Sequence, residues 1–423
     1  MNRTLYSLLF NLGLPLIFLR LWWRGLKNPA YRARVGERFA LGLPALPPGC
    51  LWVHAVSVGE SIAAAPLVRR LLAEYPGRTV LVTCMTPTGS ERIQALFGGE
   101  PRVRHCYLPY DLPWAVGRFL TRTRPSLAVV METELWPNYV HQCARRGIPV
   151  ALANARLSAR SAKGYARVPK LTGPMLAELN LIAVQTQAEA ERFLALGARP
   201  EALQVTGSIK FDLSVDPALP ARAAEQRAQW QAGERPVWIA ASTREGEDAL
   251  VIAAHQRLLA TAPDALMILV PRHLERFNSA AAQLSEAGLS YVRRSSGEPV
   301  QASTQVLLGD SMGELLFLYA LADIAFVGGS LVPTGGHNLL EPAALARPLL
   351  SGPHLFNFLE IAAQLRQAQA LEVVDNAEAL GDALRRLVEL PQTAERMGAA
   401  GLAVMQANRG ALERLVGLLK GLG

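Results

Sequence analysis

Acidic side chains in this sequence stand directly after apolar runs, where a side chain can reach a ligand. Glu60 follows the apolar run 51–56 and precedes a helical pattern at 62–75. A carboxylate there either stabilises the helix N-terminus through the helix dipole or, after a glycine that admits a substrate, removes a proton from an alcohol. The dipole also lowers the pKa of such a carboxylate, which works against a general base. Both interpretations of Glu60 stay open.

A second pair of carboxylates follows the apolar run 127–131. Glu132 is the first residue beyond that predicted strand and is the better placed to reach a ligand, whereas Glu134 is expected to be a solvated loop acid. Lys210 lies in the segment 207–212, where the chain passes from its first half to its second. A lysine there can reach a negative charge that develops between the two halves.

Three cations follow the predicted strand at 150–153. Arg156, Arg160 and Lys163 are spaced by four and three residues, which allows them to share one helical face. They suit a ligand that carries phosphate or carboxylate groups, and they are equally consistent with a solvated basic face.

The most distinctive segment is a glycine-rich turn at 328–342, between a predicted buried strand at 323–327 and a predicted helix at 339–346. The four glycines and one proline between the predicted strand and helix cannot pack a core, so the segment exists for its backbone shape. A strand, such a turn and a helix direct backbone N–H groups and a helix dipole at an anion. Asn338 and Glu341 also fit a capping box. The segment is therefore either a phosphate site or a structural turn.

Other turns of the second half carry polar groups at predicted strand ends. Ser242 and Thr243 offer hydroxyl and N–H groups at a helix start, and Arg272 after Pro271 can fork onto a phosphate or carboxylate. Asp310 is the predicted N-cap of a further helix. Each signal is weak alone. Together with the glycine-rich turn they indicate an anionic, hydroxyl-rich ligand such as a nucleotide-sugar.

The elements that position these residues alternate between strands and helices, which predicts parallel sheets wound by helices. The predicted strands are 51–56, 79–84, 105–108, 127–131, 150–153, 181–184 and 204–206, then 237–241, 266–270, 290–292, 305–308, 324–327, 348–350 and 371–374. The segments 52–60 and 238–247 open the two halves alike, each as a strand, a hydroxyl-bearing turn and a helix. Two doubly wound domains bind ligands at the carboxyl ends of their strands, which is the architecture of a two-domain glycosyltransferase.

Charge is distributed unevenly along the 423 residues. Residues 1–212 hold 26 Lys and Arg against 13 Asp and Glu, a net charge of +13, whereas the remainder holds 17 against 22, a net charge of −5. A basic first half is expected to meet an anionic partner. The four cysteines and seven histidines form no spacing typical of zinc or redox motifs, so no metal is predicted.

The N-terminal run 5–23 is mostly apolar but is interrupted by polar residues, glycine and proline. It is borderline for a spanning helix, which needs about 20 apolar residues, and it lacks a small-residue cleavage site. Tryptophans and cations follow it, which is typical of an anchor at the headgroup level. The sequence favours a signal-anchor or a shallow monotopic helix with the protein body in the cytoplasm, over a buried first helix.

Four motifs resemble those of the 3-deoxy-D-manno-octulosonic acid (Kdo) transferases of lipopolysaccharide assembly, glycosyltransferase family 30. They are HAVSVGE at 54–60, METELWP at 131–137, GSIKFD at 207–212, and the glycine-rich segment 328–342. The resemblance covers essentially the whole chain. It implies an α/β GT-B fold, with two Rossmann-like doubly wound domains facing across a cleft and an N-terminal membrane-anchor helix.

The resemblance also implies an inverting transfer of Kdo from CMP-Kdo to the tetraacyldisaccharide lipid A precursor, without a cofactor or metal. Glu60 matches the family's general base, and Glu132 and Lys210 match positions of transition-state stabilisation. The implied CMP contacts are Pro271, Arg272, Met312, Gly313, Glu314, Asn338, Leu339, Leu340 and Glu341. A carboxylate at Glu341, beside a phosphate site, is expected to hold ribose hydroxyls.

The expected domains are an anchor at 1–26, an acceptor-binding domain at 27–212, a linker at 213–235 and a CMP-sugar-binding domain at 236–423, whose last helix is long enough to return towards the first half. The expected location is the cytoplasmic face of the inner membrane, with anionic lipids and no nucleic acid as partners. Two alternatives are a transferase for a UDP- or GDP-sugar and a non-enzymatic regulator that binds a sugar nucleotide. The number of Kdo units transferred stays open.

Overall fold

The computed structural model describes residues 1–230 and 235–422. The chain forms two compact units, one of Met1–Asp212 with Arg409–Gly423 and the other of Leu213–Asn408. The sequence placed residues 409–423 in the second domain and a linker at 213–235. In the structure residues 409–423 belong to the first unit, and the predicted linker belongs to the second. Residues 231–234 of that linker lie outside the described residues.

The first unit is built on a seven-stranded, all-parallel sheet in the order β3-β2-β1-β4-β5-β6-β7. Its strands are β1 (Cys50–His54), β2 (Val80–Cys84), β3 (Val103–Tyr107), β4 (Pro125–Met131), β5 (Val150–Ala155), β6 (Leu181–Val184) and β7 (Leu203–Val205). Its first nine helices are α1 (Arg3–Leu12), α2 (Leu14–Lys27), α3 (Val58–Glu74), α4 (Pro87–Phe97), α5 (Pro113–Thr123), α6 (Pro137–Arg145), α7 (Ala159–Ala166), α8 (Pro169–Ala177) and α9 (Gln187–Ala195). The central strands read as continuous apolar runs because helices cover both faces of the sheet.

The second unit repeats this design with the strand order β10-β11-β9-β8-β12-β13-β14, again all parallel. Its strands are β8 (Val237–Thr243), β9 (Leu266–Pro271), β10 (Tyr291–Arg293), β11 (Val306–Leu308), β12 (Ile324–Val327), β13 (Leu349–Ser351) and β14 (Leu371–Val373). Its helices are α10 (Leu219–Gln229), α11 (Asp248–Leu259), α12 (Phe277–Glu286), α13 (Leu315–Leu321), α14 (Leu340–Ala344), α15 (Leu359–Gln367), α16 (Ala377–Glu389) and α17 (Pro391–Asn408). All fourteen predicted strands are present, so the predicted α/β fold with two parallel sheets is confirmed.

The last helix, α18 (Ala411–Lys420), packs on the first sheet. Ala411, Leu415, Val416 and Leu419 are all buried in the same apolar cluster as β1 and α3. The carboxylate of Asp212 also accepts hydrogen bonds from the backbone N–H groups of Gly410 and Leu412. This apolar face is why residues 409–423 join the first unit.

The two N-terminal helices expose much of their apolar surface. No residue of α1 is buried, and Leu12 and Leu16 are 68% and 70% exposed. Among the described residues, no single helix is long and apolar enough to cross a membrane. The pair Arg3–Leu12 and Leu14–Leu26 meets that test jointly, by length and composition only, and is bent by 53° at the break.

Candidate functional site

Glu60 lies in the first turn of α3, at the carboxyl edge of the first sheet. Ser57, and not Glu60, is the N-cap of that helix. The Glu60 carboxylate accepts a hydrogen bond from the Val56 N–H at 2.8 Å. Burial raises the pKa of Glu60 to about 7, with a further rise from Glu132 and Glu134, against the lowering effects of the Val56 N–H and Lys210. The expectation of a dipole-lowered pKa is therefore wrong, because desolvation outweighs the dipole.

Glu132 and Lys210 form an ion pair, with 3.0 Å between Nζ and Oε1. Glu132 follows β4 with a left-handed backbone (φ 55°), and its N–H donates to the Ala153 carbonyl at 2.9 Å. Lys210 lies in the 3-10 turn Ile209–Phe211, after β7. Both charges act on the pKa of Glu60, so the structure brings together the three residues that the sequence placed at separate strand ends.

Glu134 differs from its prediction as a solvated loop acid. It is half-buried, and burial, followed by the charge of Glu132, raises its pKa. The loop that carries both acids is held by the Tyr165 hydroxyl, which donates to the Thr133 carbonyl at 3.4 Å. Helix α7, which carries Tyr165, has no buried residue, and Arg160 and Lys163 on it are exposed.

Asn154 is a buried residue that sequence reasoning missed. It is fully buried, left-handed (φ 53°), and lies where the register of β5 against β6 shifts. Its Oδ1 accepts the Ile209 N–H at 3.1 Å, which fixes the turn that carries Lys210. The signal in the sequence was an asparagine directly after the predicted strand 150–153, because asparagine tolerates a left-handed backbone better than most residues.

In the second unit, the glycine-rich turn is organised around Glu247. Its fully buried carboxylate accepts the N–H groups of Gly329, Ser330 and Leu331 at 2.5, 2.8 and 2.8 Å, and that of Arg244 at 2.8 Å. The sequence left this segment open between a phosphate site and a structural turn. In the structure these N–H groups donate to the Glu247 carboxylate, which is the structural-turn alternative for these groups. Glu247 also follows a glycine at the start of a helix, as Glu60 does, so the matching openings of the two halves could have identified it.

Asn338 and Glu341 bond to each other instead of forming the predicted capping box. Helix α14 begins at Leu340, later than the predicted 339, and its N-cap is Leu339. Asn338 donates from Nδ2 to Glu341 Oε1 at 3.1 Å and accepts the Leu340 N–H at 3.1 Å. Burial raises the pKa of Glu341, while Asn338 and the positive charge of Arg272 oppose that rise. Leu339 and Leu340 are buried and anchor the segment.

Arg272 belongs to a basic group at the ends of β8 and β9. Pro271 ends β9, the Arg272 N–H donates to the Thr243 carbonyl at 3.0 Å, and the Arg272 side chain is exposed. The Arg244 guanidinium lies 3.2 Å from His337 Nε2 and 2.5 Å from His273 Nε2. The scattered histidines gave no sequence signal for this group.

The electrostatics of this basic group keep His337 neutral. Burial, then Arg244, Arg272 and His273, lower the pKa of His337 to about 4. Its ring is therefore an acceptor for the Arg244 Nε–H, and positive charge is concentrated on the two guanidinium groups. This arrangement suits an anionic ligand.

Asp310, in the segment before α13, has a different role from the one predicted. Asp310 is not a helix N-cap, because α13 begins at Leu315 and Asp310 accepts hydrogen bonds from the Ser295 N–H and hydroxyl at 2.8 and 2.6 Å. Met312 is 61% exposed, and Gly313 has a left-handed backbone (φ 86°) that suits glycine. Glu314 is paired with Arg294 at 2.9 Å.

A metal site is not found within residues 1–230 and 235–422, where no group of three or more His, Cys, Asp or Glu side chains could hold an ion.

Comparison with known proteins identifies the family. Residues 33–213 match the family model of the 3-deoxy-D-manno-octulosonic-acid transferase (kdotransferase). The 3-deoxy-D-manno-octulosonic acid transferase of Haemophilus influenzae is 46% identical over 423 residues, covering 99% of this chain and 98% of that protein. The chain belongs to the Kdo transferase family. The Bordetella pertussis enzyme of the same name is 41% identical, covering 99% of both chains.

Solved structures support the fold of this glycosyltransferase. The UDP-GlcNAc 2-epimerase from Neisseria meningitidis, solved with UDP-GlcNAc, superposes with a TM-score of 0.57 at 16% identity, covering 88% of this chain and all of that chain. At this identity the likeness concerns the arrangement of the sheets and helices. The Kdo transferase shares that two-sheet architecture.

Proposed function

We propose that this Kdo transferase moves Kdo from CMP-Kdo to the tetraacyldisaccharide precursor of lipid A, with inversion at the anomeric carbon. The observation that carries the proposal is Glu60, a carboxyl with a pKa of about 7 beside the Glu132–Lys210 ion pair. A base with a pKa near the working pH accepts a proton most efficiently. Glu60 takes the proton of the acceptor hydroxyl as its oxygen attacks the anomeric carbon.

Other residues stabilise the leaving group and the charged transition state. The bond from the anomeric carbon to the CMP phosphate oxygen breaks, and its electron pair leaves with CMP. Lys210, held by Glu132, offers a positive charge to this developing negative charge. Glu132 in turn lies near enough to Glu60 to keep its pKa high.

The proposed CMP site lies at strand ends of the second unit. Arg272 binds the phosphate as an exposed guanidinium, and Glu341, oriented by Asn338, accepts hydrogen bonds from the ribose hydroxyls. The segment 312–314 completes the proposed contacts with its left-handed glycine. Glu247 does not touch the nucleotide in this proposal, but it fixes the turn that leads to Asn338.

The direct test is mass spectrometry of the product made from CMP-Kdo and the tetraacylated precursor. The expected product is the precursor with one or more added Kdo residues, and CMP is expected to raise the melting temperature whereas UDP does not. A product carrying another sugar from a UDP- or GDP-sugar, or no product at all, would refute the proposal. The masses also give the number of Kdo units transferred.

We further propose that the enzyme works on the cytoplasmic face of the inner membrane, held by α1 and α2. The exposed apolar side chains of these helices support this location, because so much apolar surface is costly to expose to water. The net charge of +13 on residues 1–212 suits anionic lipid headgroups and a phosphorylated acceptor.

Replacing Leu12, Leu16 and Leu19 together by Glu is expected to release the protein from vesicles. The three side chains are 61–70% exposed, so the change removes apolar contacts with lipid without opening a core. Loss of three leucine side chains from the interface should lower the partition coefficient at least about 100-fold. Co-sedimentation with vesicles measures it. The control is Leu194→Glu with Leu390→Glu, also exposed; unchanged binding of the triple variant would exclude this anchor.

Replacing Asn154 by Ala is expected to lower kcat without weakening donor binding. The variant loses the hydrogen bond to Ile209 and places alanine in a left-handed backbone, so the Lys210 turn shifts. A displacement of about 1 Å can cost about 100-fold in rate. Steady-state kinetics should show the loss in kcat, with KM for CMP-Kdo retained. Asn154→Asp keeps the acceptor oxygen and should recover most of the rate; equal losses in both variants would contradict this positioning role.

A further inference from the structure

Four arginines of the first unit form a cluster that the proposed transfer does not use. The arginine cluster consists of Arg20 and Arg24 on α2, with Arg34 and Arg38 on and before the 3-10 turn Val35–Phe39. The guanidinium groups of Arg34 and Arg38 lie 4.7 and 4.1 Å from the ring centre of Tyr107. Burial raises the pKa of Tyr110, and the charges of Arg38, Arg20 and Arg24 all oppose that rise. Arg34 and Arg38 therefore share the Tyr107 ring, and Tyr110, whose N–H donates to the Arg38 carbonyl at 2.9 Å, links them to the charges on α2.

The cluster carries more positive charge than its acidic partner balances. Within the described residues, the carboxylate that pairs with it is Glu37, which accepts from Nε and Nη2 of Arg34 at 2.8 Å each. Glu37 also accepts the Tyr107 N–H at 2.8 Å, so its oxygens are already occupied. Four cations against one carboxylate leave a net charge of +3.

Hydrogen-bonding capacity in the cluster is also unused. Arg38 is 2% exposed, and its Nε and Nη2 have no hydrogen-bond partner in the described structure. Arg34, which is partly exposed, donates from Nη1 to the Ser90 hydroxyl at 2.9 Å. Unpaired buried cationic nitrogens are costly. An anion at Arg34, the partly exposed member of the cluster, would offset this positive charge.

The cluster is one strand away from Glu60 at the same edge of the sheet. Arg38 donates to the Met85 carbonyl at 2.9 Å, the Met85 N–H donates to the Val56 carbonyl at 3.1 Å, and the Val56 N–H donates to Glu60. These bonds connect the ends of β2 and β1, which are neighbours in the sheet. Neighbouring strands are about 4.8 Å apart, so the cluster and Glu60 can contact one sugar headgroup.

Exposed apolar side chains of α2 accompany the cluster. Phe18 of α2 stacks on Phe39 with ring centres 4.7 Å apart, which joins the N-terminal helices to the 3-10 turn. Three apolar residues next to Arg20 and Arg24 in the sequence are 57–61% exposed: Leu19, Trp22 and Trp23. The cluster is near the proposed catalytic carboxylate and near exposed apolar side chains. An amphiphile that carries a phosphate as well as its reactive sugar and acyl chains would match these three features.

We propose that the arginine cluster binds a phosphate group on the acylated sugar acceptor and thereby directs the acceptor hydroxyl to Glu60. This inference rests on the proposed function, because it names a subsite for the acceptor of that transfer. The phosphate oxygens accept hydrogen bonds from the N–H groups of Arg34 that do not bond to Glu37 or Ser90. Arg38, which lies beside Arg34 over the Tyr107 ring, adds its charge, and Arg20 and Arg24 add theirs from α2.

The test compares Arg34→Gln and Arg34→Lys with wild type, on the bisphosphorylated tetraacyl disaccharide and on the same lipid after removal of its phosphates. Arg34→Gln is expected to raise KM for the phosphorylated acceptor on the order of 10- to 100-fold, as for loss of a charged hydrogen-bonded contact. Its KM for the dephosphorylated lipid and for CMP-Kdo should not change. Arg34→Lys keeps the charge, so its KM for the phosphorylated acceptor should lie between those of Arg34→Gln and wild type. The control is Arg122→Gln, which replaces an exposed arginine on α5 and should leave all of these KM values unchanged.

Binding measurements distinguish this phosphate subsite from a bulk-lipid contact and from a failure of transfer itself. Titration of the phosphorylated acceptor in neutral detergent micelles should show the same affinity loss for Arg34→Gln without CMP-Kdo, so the subsite is testable even if no transfer occurs. Binding to anionic vesicles that lack the acceptor should be unchanged by Arg34→Gln; a parallel loss there would assign the cluster to bulk lipid instead. The proposal would be overturned if Arg34→Gln weakened the binding of both acceptors equally, or of neither. It would also be overturned if Arg160→Gln, and not Arg34→Gln, showed the phosphate-dependent loss of affinity.

Discussion

Glu60→Gln is expected to reduce Kdo transfer about 10³- to 10⁴-fold while CMP-Kdo still binds. The glutamine amide keeps an oxygen that can accept the Val56 N–H, but it cannot take a proton from the acceptor hydroxyl. Removal of a general base typically costs 10²- to 10⁴-fold, and the upper part of that range fits a base that also orients the acceptor. Single-turnover rates with saturating CMP-Kdo measure the effect directly.

Measuring the stability of Glu60→Gln will separate a loss of catalysis from a folding defect. The pKa of Glu60 rises from 4.5 to about 7 on folding, so ionised Glu60 opposes folding increasingly as pH rises from about 4.5 to 7. At pH 8 the Gln variant should therefore be more stable than wild type, by about 1 kcal/mol after allowance for partial exposure. Glu91→Gln, an exposed change on α4, is the control and should leave rate and stability unchanged. Wild-type turnover by Glu60→Gln would remove Glu60 from the mechanism.

The pH profile of the wild type follows from the same carboxyl. A base must be deprotonated to act, so kcat/KM should rise with pH up to about 7 and then level off. Lys210→Gln removes a positive charge that lowers the pKa of Glu60, so it should move the midpoint to higher pH. Glu132→Gln removes a negative charge and should move it lower. Profiles that did not separate in these directions would show that another group controls the rate.

The sheets and the location of the site were predictable because their signals are local. Continuous apolar runs identify parallel strands covered on both faces, and the residue after each run must lie at the carboxyl edge. Glu60, Glu132 and Lys210 could therefore be placed at one edge from the sequence alone. The distances between these three residues could not be predicted, because the 3.0 Å separation of Lys210 and Glu132 depends on how the chain leaves β4 and β7.

The features that the sequence did not predict arise where strands depart from regular geometry. Asn154 and Ser242 are left-handed residues at register shifts in β5 and β8, and Glu132 is left-handed just beyond β4. A bulge redirects the side chains that follow it, so strand periodicity does not predict where they lie. Burial of Glu60 is likewise a tertiary effect, which is why the helix dipole alone gave the wrong direction for its pKa.

Glu247→Ala is expected to lower the melting temperature of the second unit by about 10 °C and to abolish measurable CMP binding. The change removes the acceptor of four N–H groups, of which those of Gly329 and Ser330 are buried and those of Leu331 and Arg244 are partly buried. Each unsatisfied buried N–H costs about 1–3 kcal/mol, so even partial rehydration leaves a loss of about 3 kcal/mol or more. For a unit of this size that corresponds to roughly 6–12 °C. Differential scanning calorimetry and CMP titration measure the two effects.

The comparison with Glu245→Gln isolates the role of the buried carboxylate, because Glu245 is an exposed acid two residues away. That variant should match wild type in both measurements. Glu247→Gln should be intermediate in stability, since one amide oxygen still accepts while its NH₂ group opposes the other donors. CMP affinity should fall in the order of lost stability, because the turn held by Glu247 leads directly to Asn338 and Glu341. Full CMP affinity in a destabilised Glu247→Ala protein would mean that the turn folds around the nucleotide without its internal anion.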